Sequence, residues 1–171
     1  MNMSADLNPR PVSASFVEMD EIVQPSDLNI NGSIFGGYLM SLMDKAGGIS
    51  AFKYCGVNVV TVSVDQLVFK NPAPAGTLLS VKASVNRAFH TSMEVGILVT
   101  GLKPGESKET KLCSAYITYV AIGEDGKPIP VPPTLPETPE QIRRFREAEV
   151  RRSVRLALVE RLANGSEAHR N

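Results

Sequence analysis

Residues 33–52 limit the possible folds of this chain more than any other segment, because their apolar spacing is helical. Apolar side chains recur there at steps of three and four residues, which is the period of a helix and not of a strand. The positions that share this face are Leu39, Leu42, Met43, Ala46, Ile49 and Ser50. We therefore expect one long buried helix that the remainder of the chain surrounds.

The opposite face of this predicted helix carries a single acid among very small residues. Its members are Gly37, Asp44, Gly47, Gly48 and Ala51. Glycine inside a helix costs about 1 kcal/mol relative to alanine, so several glycines on one face indicate that another group approaches the backbone closely. A carboxylate crowded by apolar residues is costly to bury unless it is paired or used. The pattern marks Asp44 as a candidate functional residue, with an ordinary surface acid as the alternative.

The composition is that of an ordinary globular domain. Of 171 residues, 43% are hydrophobic and 21% are charged, and 18 basic side chains balance 18 acidic ones. This balance gives no global attraction to nucleic acid or to a membrane surface, and no apolar run is long enough to span a bilayer. The sequence therefore predicts a cytoplasmic protein of about one domain that is not inserted in a membrane.

The cysteines and histidines lack the spacing of a metal site. Cys55 and Cys113 lie far apart in the sequence, and the histidines are His90 and His169 alone. A zinc site is therefore not expected, and both cysteines are predicted to be reduced structural thiols. Neither cysteine lies in a glycine elbow of the kind that presents a nucleophile or beside a histidine, which disfavours a Cys–His nucleophile.

Strands are predicted on both sides of the helix. Residues 1–12 are expected to be a flexible leader and 13–23 a first strand. Gly56 should end the helix in a left-handed conformation. Further strands are expected over 60–65, 79–86, 92–99 and 112–122. Because strands joined by short turns pair antiparallel, this order predicts an α+β fold in which an antiparallel sheet curls around the central helix.

The C-terminal part of the chain, residues 134–171, is expected to be a proline tether followed by a helix. Residues 126–139 contain six prolines and should be extended on the surface. A long helix is predicted over 137–163, with Thr138 as the N-cap and Gln141 completing a capping box. We expect the folded domain to cover residues 13–133 and this helix to be an additional element that follows it.

The predicted C-terminal helix carries seven arginines and five glutamates, which is typical of a solvated face of balanced charge. Its apolar side consists of Phe145, Val154, Leu156, Leu158, Val159 and Leu162. Exposed ion pairs contribute only about 0–1 kcal/mol each. We therefore expect the apolar side to dock this helix on the outside of an oligomer or against a neighbouring subunit, away from the active site.

The start of the central helix offers a second chemical group. The backbone N–H groups of Gly36 and Gly37 lie at the positive end of the helix dipole and could stabilise an oxyanion. Gly37 and Asp44 share a face but lie about 10 Å apart along the axis, so one small carbonyl group cannot contact both. A two-fold dimer that places Asp44 of one helix opposite Gly37 of the other would complete two identical sites.

Two polar residues are candidates to assist these groups. Asn29 lies in the turn before the helix, where its amide could donate to a carbonyl or hold a water. In the first strand after the helix, valines alternate with Thr61, Ser63 and Asp65, so these polar side chains should share one face. Thr61 could there orient a water or the carboxylate. Each residue also has an ordinary explanation, as a turn-forming asparagine or a strand threonine.

Taken together, these motifs resemble the hotdog-fold acyl-CoA thioesterases, in the branch of bacterial acyl-CoA hydrolases and mammalian cytosolic acyl-CoA thioesterases. The resemblance covers residues 13–133. It rests on segments in matching order: Pro-Ser-Asp-Leu-Asn at 25–29, Gly32, Phe-Gly-Gly at 35–37, Met-Asp at 43–44 and Val-Thr-Val-Ser-Val-Asp at 60–65. It implies a catalytic set of Asn29, Asp44 and Thr61, with Asn29 and Asp44 meeting across a subunit interface in a trimer of dimers.

The resemblance also implies a place for coenzyme A. Residues 89–95 are similar to the turn and strand of the family that contact this molecule. The implied contacts to its nucleotide are Arg87, His90, Thr91 and Ser92. Thioester hydrolysis needs a positioned water, a base and an oxyanion hole. No cofactor is expected, because coenzyme A enters as part of the substrate.

Two other functions of the same fold are open alternatives. A hotdog module could bind acyl-CoA without hydrolysing it and regulate a partner. Against this, Asp44 is present, and the sequence contains no helix-turn-helix or basic DNA-reading segment before the fold. A hotdog dehydratase would need a histidine near the start of the helix, where none occurs. The resemblance favours acyl-CoA hydrolysis, with Asp44 as general base or nucleophile and without a nucleic-acid partner.

Overall fold

The computed structural model of the chain describes residues 7–167. The strands in this range are β1 (Arg10–Pro11), β2 (Val17–Ile22), β3 (Val59–Phe69), β4 (Leu78–Ala88), β5 (Ser92–Leu102), β6 (Thr110–Ala121) and β7 (Thr134–Leu135). The helices are α1 (Gly36–Cys55) and α2 (Pro139–Glu167), and 3-10 turns occupy Val12–Ser15 and Pro25–Asp27.

An antiparallel sheet of five strands, in the order β2-β4-β5-β6-β3, forms the body of the described chain. Strands β4, β5 and β6 follow one another as hairpins, whereas β3 lies at the far edge and pairs with β6. Helix α1 packs across one face of the sheet and contacts all five strands. This arrangement confirms the predicted α+β fold. We call the sheet face toward α1 the inner face and the opposite one the outer face.

Helix α1 has the predicted ends, but more of its surface is buried than the sequence predicts. Gly56 follows its last residue with a φ of 76°, the left-handed conformation expected there. Most of the predicted apolar face is buried, but Ile49 is 40% exposed. Gly47 and Ala51, which the sequence places on the face of Asp44, are buried instead, because the curled sheet covers that side of the helix.

The N-terminal segment is ordered where the sequence predicts a flexible leader. Strand β1 pairs in parallel with β7, and Val12 is 4% exposed. A 3-10 turn follows, closed by the Ser15 hydroxyl, which donates to the Val12 carbonyl oxygen at 2.6 Å. Strand β2 therefore begins only at Val17. The prediction of a flexible leader does not hold for residues 10–12, and for residues 1–6 it lies outside the described residues.

The proline-rich segment before α2 is packed against the domain and is not a free tether. Val131 is 5% exposed and Thr134 is 9% exposed. The Tyr54 hydroxyl of α1 donates to the Pro133 carbonyl oxygen at 2.8 Å. The expected surface placement is wrong at Val131 and Thr134, because this segment packs against the domain and its main-chain oxygens accept hydrogen bonds from it.

Helix α2 starts as predicted and runs farther. The Thr138 hydroxyl accepts the N–H of Gln141 at 3.2 Å, and the Gln141 side-chain oxygen accepts the N–H of Thr138 at 3.2 Å. This capping box confirms the predicted helix start. The helix continues to Glu167 instead of ending at residue 163. Within the described chain, neither helix has the length and apolar content needed to cross a membrane.

The first turns of α2 carry the balanced charge that the sequence predicts. Arg143 pairs with Glu140 and with Glu147 at 2.6 Å each, and Arg144 pairs with Glu140 at 2.9 Å. These side chains are all well exposed to solvent. Because solvent screens such pairs, they contribute little to stability, and they lie at the start of the helix without docking it.

Farther along, α2 docks on the outer face of its own sheet through arginines, whereas docking of its apolar side against a neighbouring subunit stays a prediction. Arg151 bonds Glu94 of β5 with two hydrogen bonds of 2.7 and 3.0 Å, and Arg155 pairs with Asp65 of β3. Glu94 is 2% exposed, and a buried carboxylate requires a partner. The apolar residues at steps of four remain 55–65% exposed, namely Val150, Val154, Leu158 and Leu162.

Gly47 and Gly48 allow a matched test of how closely α1 approaches the sheet. A Cβ at position 47 would collide with the Tyr119 hydroxyl oxygen, whereas one at position 48 would lie 3.8 Å from the Tyr119 ring. We expect Gly47→Ala to lower the free energy of unfolding by about 1–3 kcal/mol through overpacking. Gly48→Ala should leave it unchanged or raise it by up to about 1 kcal/mol, because alanine favours a helix. Equal stabilities in urea unfolding would contradict the close approach.

Candidate active site

Asp44 lies within a group of hydrogen-bonded side chains on the inner face. The Thr61 hydroxyl donates to Asp44 Oδ1 at 2.7 Å. The Tyr119 hydroxyl lies 3.2 Å from the same oxygen and 2.9 Å from the Asp44 carbonyl oxygen. Helix α1 supplies the carboxylate, β3 the threonine and β6 the tyrosine. Two hydroxyl groups therefore orient the carboxylate, which remains exposed and accessible to a ligand.

A β-bulge in β3 turns Thr61 toward the helix. Thr61 pairs with Tyr119 in register, but Ser63 pairs with Thr118, so Val62 is an extra residue in the strand. The regular alternation of the sequence predicts Thr61 and Ser63 on one face. Because a bulge reverses the alternation, Thr61 lies on the inner face and Ser63 on the outer face. This correction explains how a strand threonine reaches a carboxylate of the helix.

Tyr119 is a site residue that the sequence analysis missed. It is 1% exposed, and burial raises the pKa of its hydroxyl above the usual value, with a further increase from the nearby charge of Asp44. The hydroxyl therefore stays protonated and remains a donor. A signal was present, since the alternation of β6 places Tyr119 on the inner face with Ile117, and a buried tyrosine hydroxyl needs a partner.

Two pockets with different linings share the residues Asp44 and Thr61. A cavity of about 290 Å³ has a mainly apolar wall formed by Met40, Met43, Val64, Leu67, Ala115 and Ile117. A more open cleft of about 410 Å³ is lined on the other side by Lys45, Gly48, Phe52, Asn58 and Tyr119. The carboxylate thus stands between an apolar cavity and an open cleft, which suits a ligand with an apolar tail and a polar remainder.

The start of α1 has the open N–H groups that the sequence predicts. Phe35 is the N-cap, and it makes no side-chain cap hydrogen bond. The N–H of Leu39 donates to the Phe35 carbonyl oxygen at 3.1 Å and begins the helical pattern. The N–H groups of Gly36 and Gly37 precede this bond and have no acceptor within the helix. Their position fits an oxyanion site.

Asn29 forms its own turn and retains a donor. Its side-chain oxygen accepts the N–H of Asn31 at 2.8 Å and that of Ser33 at 3.3 Å, which leaves the Nδ2 group to meet a ligand. Among the hydrogen bonds of residues 7–167, none joins Asn29 to Asp44. The structure therefore brings Asp44 and Thr61 together, while Asn29 lies in the separate turn that precedes the helix.

The turn between β4 and β5 presents three of the four residues expected to contact a nucleotide. His90 is exposed, and Thr91 and Ser92 are half-buried. The N–H of Phe89 donates to the Ser92 carbonyl oxygen at 2.7 Å and closes the turn. The register of β5, β6 and β3 places this turn at the same end of the sheet as Asn58, which lines the open cleft.

Arg87, the fourth of these residues, is engaged by α2. Its guanidinium pairs with Glu149 at 2.8 Å and lies 4.1 Å from the centroid of the Phe145 ring. The sequence could not indicate this, since it does not reveal where α2 docks. In the structure Arg87 anchors the C-terminal helix, so contact with a nucleotide would compete with that role.

The cysteines do not provide an alternative reactive group. Cys55 and Cys113 are both buried free thiols. Burial raises the pKa of Cys113 to about 11 and also raises that of Cys55. Thiols with a raised pKa stay protonated near neutral pH and are weak nucleophiles. In the part of the chain that the structure describes, no group of three or more His, Cys, Asp or Glu side chains is placed to hold a metal ion.

Comparison with known proteins identifies a family. A family model of the Thioesterase superfamily matches residues 31–108. The chain is 35% identical over 149 residues to the cytosolic acyl coenzyme A thioester hydrolase of Rattus norvegicus, a match that covers 85% of this chain and 39% of that protein. It is 41% identical over 139 residues to Protein VdlD of Helicobacter pylori, covering 80% of this chain and 78% of that one. The match thus spans about two fifths of the rat protein.

Solved structures share the whole fold. The acyl-CoA hydrolase of Staphylococcus aureus, in complex with butyryl coenzyme A, coenzyme A and coenzyme A disulfide, superposes with a TM-score of 0.85 at 30% identity, over 95% of this chain and 99% of that one. Variants of that hydrolase carry alanine in place of an asparagine, an aspartate or a threonine. An apo-hexameric acyl-CoA thioesterase superposes with a TM-score of 0.86 at 33% identity, over 89% and 97% of the two chains.

The raised pKa of Tyr119 predicts a loss of stability at high pH. An unfolded tyrosine ionises near pH 10, whereas folded Tyr119 keeps its proton, so deprotonation above about pH 10 favours the unfolded state. Each such group lowers the free energy of unfolding by about 1.4 kcal/mol per pH unit in that range. We expect Tyr119→Phe to reduce the slope by this amount above pH 10 and to leave the slope between pH 7 and 8 unchanged. Urea unfolding across both ranges measures it, and identical alkaline slopes would contradict the burial of a neutral hydroxyl.

Proposed function

The chain belongs to the hotdog-fold thioesterase superfamily, and on that premise we propose that it hydrolyses fatty acyl-CoA to a free fatty acid and coenzyme A. The observation that carries this proposal is the Asp44 carboxylate, which two hydroxyl groups orient between an apolar cavity and an open cleft. The rat relative, named an acyl coenzyme A thioester hydrolase, and the S. aureus hydrolase with bound butyryl coenzyme A support the same substrate class.

In this proposal Asp44 acts as general base or as nucleophile. As a base it accepts a proton from a water molecule that attacks the thioester carbonyl carbon, after which the C–S bond breaks and the coenzyme A thiolate takes up a proton. As a nucleophile its oxygen attacks the same carbon, the C–S bond breaks and the coenzyme A thiolate leaves and takes up a proton; water then hydrolyses the resulting mixed anhydride, which releases the fatty acid and regenerates the carboxylate. Thr61 and Tyr119 orient the carboxylate in either route. The reaction requires no metal or organic cofactor, because coenzyme A is part of the substrate.

The oxyanion donors come from a second subunit. The N–H groups of Gly36 and Gly37 lie at the start of α1, about 10–12 Å along the helix from Asp44, which is beyond the reach of one carbonyl group, and Asn29 lies in the turn that precedes this helix. A two-fold axis between antiparallel copies of α1 would bring the start of one helix opposite the carboxylate of the other. Each site would then combine Asp44 and Thr61 of one chain with Asn29 and the helix start of its partner.

The free edge of β3 supports such a dimer. Within the described chain β3 pairs with β6 on one side only. Val60, Val62 and Val64 of this strand are 40–55% exposed. Long edge strands with apolar side chains are usually covered or paired with another chain. Together with the hexameric state of a similar thioesterase, this edge supports a homohexamer assembled as a trimer of dimers.

We assign the apolar cavity and the open cleft to the two ends of the substrate. The acyl tail occupies the apolar cavity, and the coenzyme A portion leaves through the open cleft toward His90, Thr91 and Ser92. Arg87 is less suited to contact the nucleotide, because Glu149 already neutralises it. The name of the rat relative also supports a cytoplasmic location.

A regulatory module that binds acyl-CoA without hydrolysing it is the alternative. Both functions would use the cavity and the cleft. A sensor, however, has no use for an exposed carboxylate oriented by two hydroxyl groups, since a charge beside a neutral thioester adds no affinity. The Asp44 geometry therefore favours hydrolysis.

Replacing the carboxylate tests the proposed chemistry. Asp44→Asn retains the side-chain shape but cannot accept a proton, and we expect it to lower thiol release from acyl-CoA by about 10²–10⁴-fold while the protein stays folded. Glu124→Gln makes the same change at an exposed turn and should behave as wild type. A folded Asp44→Asn protein that retained more than about half of the activity would exclude both roles of Asp44.

Subunit complementation tests whether the site is shared. Asn29→Ala and Asp44→Asn proteins are each expected to be inactive, but a heterodimer contains one site in which both residues are intact. Random exchange of equal amounts should restore about one quarter of the wild-type activity, since half of the dimers are mixed and each has one complete site. Verified heterodimers as inactive as the parents would show that each site lies within one chain.

A further inference from the structure

Asp65, Thr118 and Arg155 form a cluster on the outer face that the proposed reaction does not use. Arg155 of α2 pairs through Nη1 with Asp65 Oδ2 of β3, and the same nitrogen donates to the Thr118 hydroxyl oxygen of β6 at 3.1 Å. The side chains of Asp65 and Arg155 are 9% and 24% exposed. One guanidinium group therefore joins both strands from the side of the sheet opposite α1.

These contacts surround the bulges that direct Thr61. One register shift follows Thr61 directly, and a second occurs at Asp65. Arg155 contacts the second bulge through Asp65 and the first through Thr118, which is the register partner of Ser63. The Ser63 hydroxyl also donates to Asp65 Oδ1 at 3.2 Å. The cluster thus connects the two irregular points of β3 to each other and to β6.

Strand β3 needs such support more than the other long strands. Its pairing with β6 contains two register shifts, whereas the β4–β5 and β5–β6 pairings contain one each. Each bulge interrupts the ladder of hydrogen bonds with β6, and pairing of the other edge of β3 in the proposed dimer would not repair that ladder. The conformation of residues 61–65 therefore depends on contacts outside the ladder. The described structure provides a polar contact to a helix on each face: Thr61 with Asp44 of α1 on the inner face, and Asp65 with Arg155 of α2 on the outer face.

We propose that Arg155 is a positioning residue for the active site on the opposite face of the sheet. By holding the bulged segment of β3, it keeps the Thr61 hydroxyl directed at Asp44. The C-terminal helix then contributes to catalysis indirectly, because its Arg155 holds the strand that carries Thr61. This inference rests on the proposed function, which assigns Thr61 its role.

The test uses two matched pairs of neutralising substitutions in the full chain. Arg155→Met combined with Asp65→Asn removes the ion pair at β3 without leaving an unpaired buried charge, which would itself be destabilising. Arg151→Met combined with Glu94→Gln removes the other ion pair, between α2 and β5, and is the control for weaker docking of the helix. Circular dichroism establishes that both proteins are folded.

We expect the Arg155/Asp65 variant to lower kcat by about 10–100-fold with little change in KM, because small displacements of catalytic groups have effects of this size. The Arg151/Glu94 control should lose much less kcat than the Arg155/Asp65 variant, and because Glu94 lies within residues 89–95, KM is measured for both. In a Thr61→Ala background the same Arg155/Asp65 pair should cause little further loss, because its effect passes through Thr61. Arg155→Lys keeps the charge but not the planar fork, and its kcat should lie between those of the wild type and the double variant.

Amide hydrogen exchange gives a readout that does not depend on activity. Backbone amides of residues 59–66 should exchange about 10-fold faster in the Arg155/Asp65 variant than in the control. If the double variant does not fold, Thr118→Val, which removes one anchor at nearly constant volume, replaces it in both measurements. If the wild type hydrolyses no acyl-CoA, the proposed function fails, while the exchange experiment still tests the support of β3.

Two kinetic results would overturn the positioning role. One is an equal loss of kcat in the Arg155/Asp65 variant and in the control, which would indicate that only the docking of α2 matters. The other is a full additional loss in the Thr61→Ala background, which would show that Arg155 acts independently of Thr61. Unchanged exchange at residues 59–66 would likewise exclude support of the bulges.

Discussion

The contact between Gly47 of α1 and Tyr119 of β6 sets the separation of helix and sheet on which the site depends. Because Gly47 has no Cβ, the Tyr119 hydroxyl lies against the helix backbone and reaches both the carbonyl and the carboxylate of Asp44. A hydroxyl buried this deeply needs partners, and these two oxygens supply them. The same approach brings Thr61, the cross-strand partner of Tyr119, within 2.7 Å of the carboxylate. Helix packing and site geometry thus follow from one constraint.

This contact also shows what the sequence could and could not predict. The helical period, the turn residues and the strand alternation were sufficient for α1 and for the antiparallel sheet, because these patterns are local. The glycines of α1 correctly indicated a close approach. The approaching group at Gly47, however, is Tyr119 of the sheet and not a ligand. Identifying it requires the position of β6 against the helix, which is a long-range property of the fold.

The bulge of β3 and the docking of α2 could not be predicted from the sequence either, because both depend on long-range contacts. Valine alternation over 60–65 predicts a regular strand, and only the register with β6 reveals the extra residue that separates Thr61 from Ser63. Likewise, the sequence does not show which arginines of α2 form exposed ion pairs and which reach a buried carboxylate. Arg143 forms exposed pairs that solvent screens, whereas Arg151 reaches a carboxylate that is 2% exposed, and breaking such a buried pair is strongly destabilising.

The two donors that orient Asp44 differ in how firmly the sheet holds them. Tyr119 belongs to β6, which pairs with β5 on one side and β3 on the other, so hydrogen-bonded neighbours fix it. Thr61 belongs to a bulged edge strand that pairs with β6 alone within the described chain. A catalytic group must be held within about 0.5 Å of its working position. The outer-face cluster around Arg155 occurs at the less firmly held donor, which is where additional support has the greatest effect.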